Sequence, residues 1–434
     1  MAIQSLFIMI VVLALLLIIG APIAISIAVS AIAAILPTMS LDITLVTAAQ
    51  RIFSGTSSFS LLAIPFFVLA GNIMNQGGIA RRLVRFVDTL VGRVPGSLLL
   101  TNIGANALFG AISGSAAAAA AAVGGMVREG QEEAGYDMAL AAATNGASAP
   151  SGLLIPPSNA LITYSLVSGG TSVAALFMAG YIPGLIWMLA CMVVAFIYAK
   201  RKGYGRDGRA FDWATFGKTT LDALLPLSLI VIVIGGIVTG VFTATEGSAI
   251  AVVYALFISM VVYRAMTFKD LVRVLIDSAE TSGMVVFLIG VSNILSWVMA
   301  FTGIPQAIAS SLLSITDSPL LLMLIINVIL LIAGTFMDVT PAILIFTPIF
   351  LPIVTSFGIS PIHFGIILVY NLCIGNITPP VGNTLFVAIR VGGNTLANVI
   401  PYMVGYYGGI LAGLVAVTYL PALSLWLPGL MGLL

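Results

Sequence analysis

Apolar stretches long enough to cross a bilayer, about 20 residues each, follow one another along this 434-residue chain, and two of them are broken at matching places. SGLLIPPSN (151–159) carries Gly152 and the pair Pro156-Pro157 where a membrane helix should continue. IGNITPPVG (374–382) repeats the pattern, and 375 − 152, 379 − 156 and 380 − 157 all equal 223. Gly169-Gly170 and Gly392-Gly393 keep the same shift beyond the proline pairs. Shared composition makes two apolar halves look alike, but it does not fix spacing. Unwound backbone in hydrocarbon is tolerated only where its amides and carbonyls face protein, water or a bound ion. Each proline also removes a donor and costs about 3 kcal/mol in a helix interior. Two such breaks in register predict two related half-sites.

The chain is 60% hydrophobic and 7% charged with a mean hydropathy of +1.19, against about 25% charged residues in soluble domains. It reads as an integral membrane protein with no soluble domain left over. The N-terminus lacks the basic start and small-residue cleavage site of a signal peptide, so it is expected to be a retained helix. Residues 5–36 fit either two short helices or one long helix kinked at Gly20-Ala21-Pro22. Cys191 and Cys373 lie singly in apolar segments and read as buried thiols, with neither a disulfide framework nor a zinc site indicated. The net charge of +1, with no aromatic-interleaved basic patch, gives no footprint for nucleic acid. No GxxxxGK[ST] phosphate loop, HExxH or Ser-His-Asp order is present, and Asp338 has no acidic neighbour in an apolar segment. An enzyme, including an intramembrane hydrolase, is therefore disfavoured.

Basic residues set the topology. Arg81, Arg82, Arg85 and Arg93 fill one loop; Lys200, Arg201, Lys202, Arg206, Arg209 and Lys218 a second; Arg264, Lys269 and Arg273 a third. Short loops rich in Lys and Arg stay in the cytoplasm. Segments 138–166 and 173–199 supply two crossings between the first two loops, so the apolar stretch from 98 must enter and leave on one side as a re-entrant hairpin. Shifted by 223, the Arg-rich loop lands on IPQAIASSLLSIT (304–316), which has no basic residue. That contrast predicts an all-α polytopic protein of two inverted repeats. Residues 1–199 hold a hairpin at about 98–127 and a broken helix at about 138–166; 200–218 are a basic cytoplasmic linker; 219–434 hold a hairpin at about 319–352 and a broken helix at about 362–390.

Discontinuous helices at the interface of inverted repeats are a device of secondary transporters: half-helix N-termini favour anionic groups and freed carbonyls coordinate sodium. A hard cation wants several oxygen ligands. Ser113, Ser115 and Ser158 with carbonyls near Ser151 and Gly152 are expected to form a first sodium site. Thr335, Asp338 and Thr378 with carbonyls near Gly334, Gly375 and Pro379 are expected to form a second. A membrane-helix serine also bonds its own backbone in ordinary packing, and Asp338 also suits the N-cap of the second hairpin arm. Acidic side chains in membrane segments mark ion or proton paths. Ser115, Asn159, Asn383 and Arg390 are the candidate substrate contacts, although for Arg390 snorkelling toward the cytoplasm is the favoured reading. Glu246 reads as a solvated turn residue and His363 as interfacial.

GAISGSAAAAAAAVGGM (110–126), NGASAPSGLLIPPSNALITYSLVSGGTSVAALFMAGYIPG (145–184) and GNITPPVGNTLFVA (375–388) resemble the large membrane subunit of TRAP transporters, the tripartite ATP-independent periplasmic family. The resemblance covers essentially the whole chain. It implies an elevator-type importer in the bacterial inner membrane, driven by sodium and carrying an organic acid of the sialic acid or C4-dicarboxylate class. It also implies two partners, a small four-helix membrane subunit on a separate chain and a periplasmic substrate-binding protein. A one-component sodium–dicarboxylate symporter of similar hairpin design is the alternative. Under the shift Ser158 faces Val381 and Asn159 faces Gly382, so the two sites are expected to differ in ligands. Docking of the binding protein is expected at 304–318 and 353–361, with help from 40–56 around Arg51.

Overall fold

The computed structural model describes residues 2–204, 212–313, 316 and 318–434, and every regular element among them is helical. Backbone groups in hydrocarbon must be satisfied within one segment, which leaves helices as the solution for an open chain.

The first half opens with α1 (Ala2–Ile18) and α2 (Ile23–Ile35), which turn on Gly20 at φ +80°. The N-terminal region is therefore two helices, not one kinked helix. α3 (Leu41–Thr56) and α4 (Ala63–Gln76) are parted by a 3₁₀ turn at Phe59–Leu62. In α5 (Ile79–Val91), Ile79, Ala80, Leu83 and Val87 are buried at helical spacing while Arg81 and Arg85 are exposed. α6 (Ser97–Ser113) and α7 (Ala116–Glu133) form the first hairpin, reversing at Gly114 with φ +63°. α6 rises roughly 25 Å, short of a hydrocarbon core of about 30 Å, as a re-entrant arm must. α8 (Met138–Ser148), α9 (Ser151–Leu154) and α10 (Asn159–Val167) make the broken helix. α8 rises only roughly 16 Å, which puts the break about half-way through the hydrocarbon. α11 (Val173–Lys202) closes the half as a full crossing.

The second half follows the same plan: α12 (Trp213–Val238), α13 (Ala244–Leu256) running into a π turn at Phe257–Val262, α14 (Phe268–Thr302) and α15 (Ile304–Leu313). The hairpin α16 (Pro319–Gly334) and α17 (Val339–Ser356) precedes the broken helix α18 (Pro361–Gly375) and α19 (Asn383–Val391), then α20 (Leu396–Tyr419) and α21 (Ala422–Leu430). Pro156-Pro157 and Pro379-Pro380 are both cis. Seven helices among the described residues are long and apolar enough to cross a membrane. Most of the linker, 205–211 with Arg206 and Arg209, lies outside the described residues, as does part of the expected docking stretch 304–318, Asp317 included.

Some sequence expectations need correction. Lys269 and Arg273 of the third basic loop belong to a 35-residue helix, α14. Its first turns carry Lys269, Asp270, Arg273, Asp277 and Glu280 and read as loop, but a capping box at Thr267 and Asp270 starts the helix there. Shifted by 223, both α3 and α4 fall on α14, so one rod in the second half replaces two helices in the first. Leu420-Pro421 separates α20 from α21. His363 is buried, not interfacial: Nδ1 lies 3.1 Å from Ser424 Oγ and Nε2 lies 3.2 Å from the Thr418 carbonyl, which ties α21 to α18. Glu246 is exposed and completes a capping box with Thr243.

The halves interlock: α7 packs on α19, α10 on α17, and α8 on α19 and α20. At the centre lie the fully buried Trp187, Tyr164, Tyr370 and Tyr406. Their polar atoms are spent on backbone or hydroxyl partners, such as Trp187 Nε1 on the Ala147 carbonyl at 2.9 Å and Tyr406 with Thr144 at 2.6 Å. The paired helices at the start of each half frame this unit, with α14 packed on α2, α3, α4 and α17.

Candidate functional site

Each hairpin crosses its own broken helix at a pair of glycines. A Cβ on Gly152 would lie 2.3 Å from Gly110 Cα, and one on Gly375 would lie 2.4 Å from the Gly334 carbonyl carbon. Backbone meets backbone at both crossings, an approach that only glycine allows. The halves also touch at equivalent positions: Cys373 Sγ lies 3.9 Å from the Pro150 carbonyl, and 373 − 150 is again 223.

In the first half the hairpin tip is held by its own side chains. Ser113 Oγ donates to the Ser115 carbonyl at 3.4 Å, and Ser115 Oγ caps α7 by accepting from Ala118 N at 3.3 Å. The Asn159 amide packs on Gly114, where a Cβ would lie 2.5 Å from Asn159 Nδ2. Across the break, Ser158 Oγ donates to the Leu153 carbonyl and accepts from Leu161 N at 3.4 Å. Ser151 Oγ donates to the Ser148 carbonyl at 2.7 Å, and the Ser151 carbonyl accepts from Ile155 N at 3.1 Å.

The second half is bound differently. Thr335 Oγ1 donates to the Ile332 carbonyl at 2.7 Å, and the Thr335 carbonyl accepts from Val381 N at 3.2 Å, tying the hairpin tip to the proline loop. Asp338 caps α17 by accepting from Val339 N at 2.9 Å. Thr378 Oγ1 donates to the Ile374 carbonyl at 2.7 Å. α19 is capped from a distance: its N-cap is Gly382, Val381 stands where Ser158 stands in the first half, and the Thr384 amide donates to Asn376 Oδ1 at 3.3 Å.

These elements enclose a cavity of about 290 Å³ onto which the N-termini of four helices open. Ser115 to Ala118 bring α7 to its wall, Asn159 and Ala160 bring α10, Asp338 to Thr340 bring α17, and Asn383 brings α19. A helix N-terminus presents unpaired amides and a partial positive charge, so the cavity favours an anion. Asp338 is the one acidic side chain on its wall, and no Lys, Arg or His lines it among the described residues.

Of the residues singled out in the sequence, Ser113, Ser115, Asn159, Asp338 and Asn383 line this cavity. Ser151, Gly152, Ser158, Gly334, Thr335, Gly375, Thr378 and Pro379 are not on its wall and lie in the breaks and at the second hairpin tip. Arg390 is a correction: it is exposed in the last turn of α19, seven residues beyond Asn383. That is roughly 10 Å along the helix axis, which removes it from the cavity wall. The structure adds Thr163 and Asn376 from the broken helices, Thr340 from the second hairpin, and Asn72, Asn75 and Thr281 from the framing helices. Asn72 Nδ2 donates to Ser278 Oγ at 2.9 Å, which joins α4 to α14 beside the cavity. The readable signal was amides inside the apolar segment LAGNIMNQ, since polar side chains in membrane helices mark functional faces.

Residues 10–423 match the family described as "Tripartite ATP-independent periplasmic transporter, DctM component". The chain is 51% identical to an uncharacterized protein, YgiK, of Salmonella typhimurium, covering 96% of this chain and 95% of that one. It is 41% identical to a "C4-dicarboxylate TRAP transporter large permease protein DctM" of Pseudomonas aeruginosa, covering 89% of this chain and 90% of the relative. The crystal structure of the Alcanivorax borkumensis YdaH transporter shares the fold at a TM-score of 0.63 and 14% identity, over 88% of this chain and 89% of that one. The matched family, the identity to a large permease along nearly the whole chain and the paired hairpins and broken helices lead to one conclusion: the chain is a multi-pass membrane protein that belongs to the DctM component of tripartite ATP-independent periplasmic transporters.

Proposed function

We propose that this chain imports an organic acid across the bacterial inner membrane, driven by sodium and delivered by a periplasmic binding protein. The observation that carries this reading is the convergence of four helix N-termini on one cavity that holds a single carboxylate, Asp338. The N-termini suit the substrate anion without a basic side chain. Asp338 and the hydroxyl and carbonyl oxygens around the two breaks suit sodium, which favours oxygen ligands as other hard cations do. The first sodium site takes Ser113 and Ser115 with backbone near Ser151, Gly152 and Ser158. The second takes Asp338 with backbone near Gly334, Thr335, Gly375, Thr378 and Pro379. Ser115, Asn159 and Asn383 meet the substrate. The halves 1–199 and 219–434 act as inverted repeats, and the hairpins with their broken helices travel as an elevator against the framing helices.

Relatives support the substrate class and the partners. A Vibrio cholerae relative at 39% identity is named a sialic acid TRAP transporter large permease. Another at 40% identity is an isethionate permease named DctMQ, of which this chain spans about two thirds (65%). A small four-helix subunit on a separate chain accounts for the second membrane component. The test is uptake into proteoliposomes containing this chain and that small subunit, with the binding protein and a panel of carboxylates outside. Uptake is expected to require both an inward sodium gradient and the binding protein. Sodium-driven uptake by the chain alone would overturn the partner assignment in favour of a one-component symporter, and equal uptake on a potassium gradient would overturn the sodium sites.

A further inference from the structure

One turn behind each glycine crossing, a buried amide ties the hairpin to its broken helix. In the first half Asn106 of α6, four residues before Gly110, reaches α8: its Nδ2 lies 2.9 Å from Ser148 Oγ and 3.0 Å from Asn145 Oδ1. The two hydrogens on this nitrogen face four oxygens within 3.3 Å, the other two being Asn102 Oδ1 and the Asn145 carbonyl. In the second half Asn371 of α18, four residues before Gly375, reaches α16: its Nδ2 donates to Asn327 Oδ1 at 2.8 Å and to the Asn327 carbonyl at 3.0 Å. The broken-helix members of the two ties, Ser148 and Asn371, are equivalent, since 371 − 148 is 223. The donor stands on the hairpin in one half and on the broken helix in the other. Register is kept while the direction of the bond is reversed.

Asn106, Asn145, Ser148, Asn327 and Asn371 are all buried. Leucine would pack two membrane helices without burying a polar group, whereas amides hold them in one register, because sliding leaves the amides unbonded. Each tie is anchored in turn. Asn145 Nδ2 donates to the Ala120 carbonyl of α7 at 2.8 Å, and the Ser148 carbonyl accepts from Ser151 Oγ at 2.7 Å, which carries the first tie into the break itself. Asn327 Nδ2 donates to Thr418 Oγ1 of α20 at 3.1 Å. The backbone near Gly152, Gly334 and Gly375 supplies the oxygens assigned above to sodium, and those oxygens keep their spacing only while each crossing keeps its register. We propose that Asn106 and Asn371 are positioning residues for the cation, each locking its hairpin to its broken helix and so fixing the distances between those backbone ligands. The role rests on the sodium reading of the site.

Melting of the full chain in detergent, followed as sodium chloride replaces potassium chloride at constant ionic strength, reads cation affinity with no substrate present. Wild type is expected to melt higher as sodium rises. Asn106→Leu and Asn371→Leu are expected to need about tenfold more sodium for the same gain, the usual loss when a partner behind a metal ligand is removed. A purely structural tie would instead lower melting equally at every sodium concentration. Tyr164→Phe, which loses a 2.6 Å bond to the Pro361 carbonyl at the end of α18 far from the break, is expected to behave in that second way. Asn371→Ser gives α18 the residue that α8 carries at this register, and its hydroxyl is expected to restore much of the sodium response. Should a Leu variant fail to fold, Asn371→Ala decides, because it removes the donor without adding bulk. An unchanged sodium requirement in a folded Leu or Ala variant, or a Ser variant no better than the Ala one, overturns the positioning role and leaves the sodium sites standing. No sodium response in wild type overturns the sodium sites and the role with them.

Discussion

The two breaks share a backbone but not a covering. Pro156, Pro157 and Ser158 are buried, whereas Pro380 is exposed and Val381 is 46% exposed. At the hairpin tips Ser113 is 7% exposed, while Phe336 is 58% exposed. The start of each broken helix differs as well. Asp137 caps α8, accepting from Ala139 N at 2.9 Å, Lys202 Nζ at 2.9 Å and Tyr402 Oη at 2.6 Å. Its equivalent under the shift is Ser360, which caps α18 with no side-chain bond. Glycine and proline thus set where each helix breaks, and the surrounding packing sets how firmly each break is held. The first half-site is buried, and the second is exposed at its tip and proline loop.

The largest effect is expected at the glycine crossings, where the halves should behave alike. Gly152→Val and Gly375→Val each drive a side chain into backbone that cannot rotate away, at about 3 kcal/mol or more. Thermal melting in detergent reads this. Tolerance of Gly375→Val alone would sharpen the contrast by showing that the second crossing opens. Next comes charge at the tips. Asp338→Asn keeps a cap acceptor and loses the carboxylate, and sodium-driven uptake is expected to fall about tenfold or more, a differential of some 1.4 kcal/mol. Ser115→Ala is expected to cost about 1 kcal/mol of stability through its cap with a smaller loss of uptake. The reverse order would break the assignment of the cation to the second tip.

Across the breaks, Ser158→Ala leaves Leu153 and Leu161 without a bridging hydroxyl, for about 1–2 kcal/mol. Val381→Ala, on the exposed counterpart, should change melting by less than about 0.5 kcal/mol, and equal costs would erase the difference in covering. A pH-dependent effect is expected at the Asp137 clamp that starts the first broken helix. Burial alone would raise its pKa, but the bonds from Tyr402, Lys202 and the amides of α8 prevail and lower it to about 2. A depressed carboxylate contributes stability above its ordinary value and loses it as pH falls from about 4 toward 2. Asp137→Asn is therefore expected to cost about 1 kcal/mol at neutral pH, since water screens a partly exposed pair. The deficit should stay flat from pH 8 to 5 and shrink on melting at pH 3. A deficit that changes between pH 8 and 5 would place another titrating group in the clamp.

By itself, the sequence determined the membrane class, the two breaks and their common register. Those depend on local preferences: apolar length for a span, proline and glycine for an interrupted helix, Ser115 and Asp338 for caps. Asp338 and the tip serines were legible because polar residues beside a break have few other reasons to sit in hydrocarbon. The tertiary structure decided what those signals could not. Asn72 and Thr281 reach the cavity from framing helices 209 residues apart in the chain, and Arg390 is carried away from it by the pitch and length of α19. The length of α14 was hidden because charged residues at a membrane surface look like a loop until a cap and neighbouring helices hold them in a helix. Spacing along the chain fixes where a backbone turns, but which N-termini share a cavity depends on contacts between residues far apart in sequence.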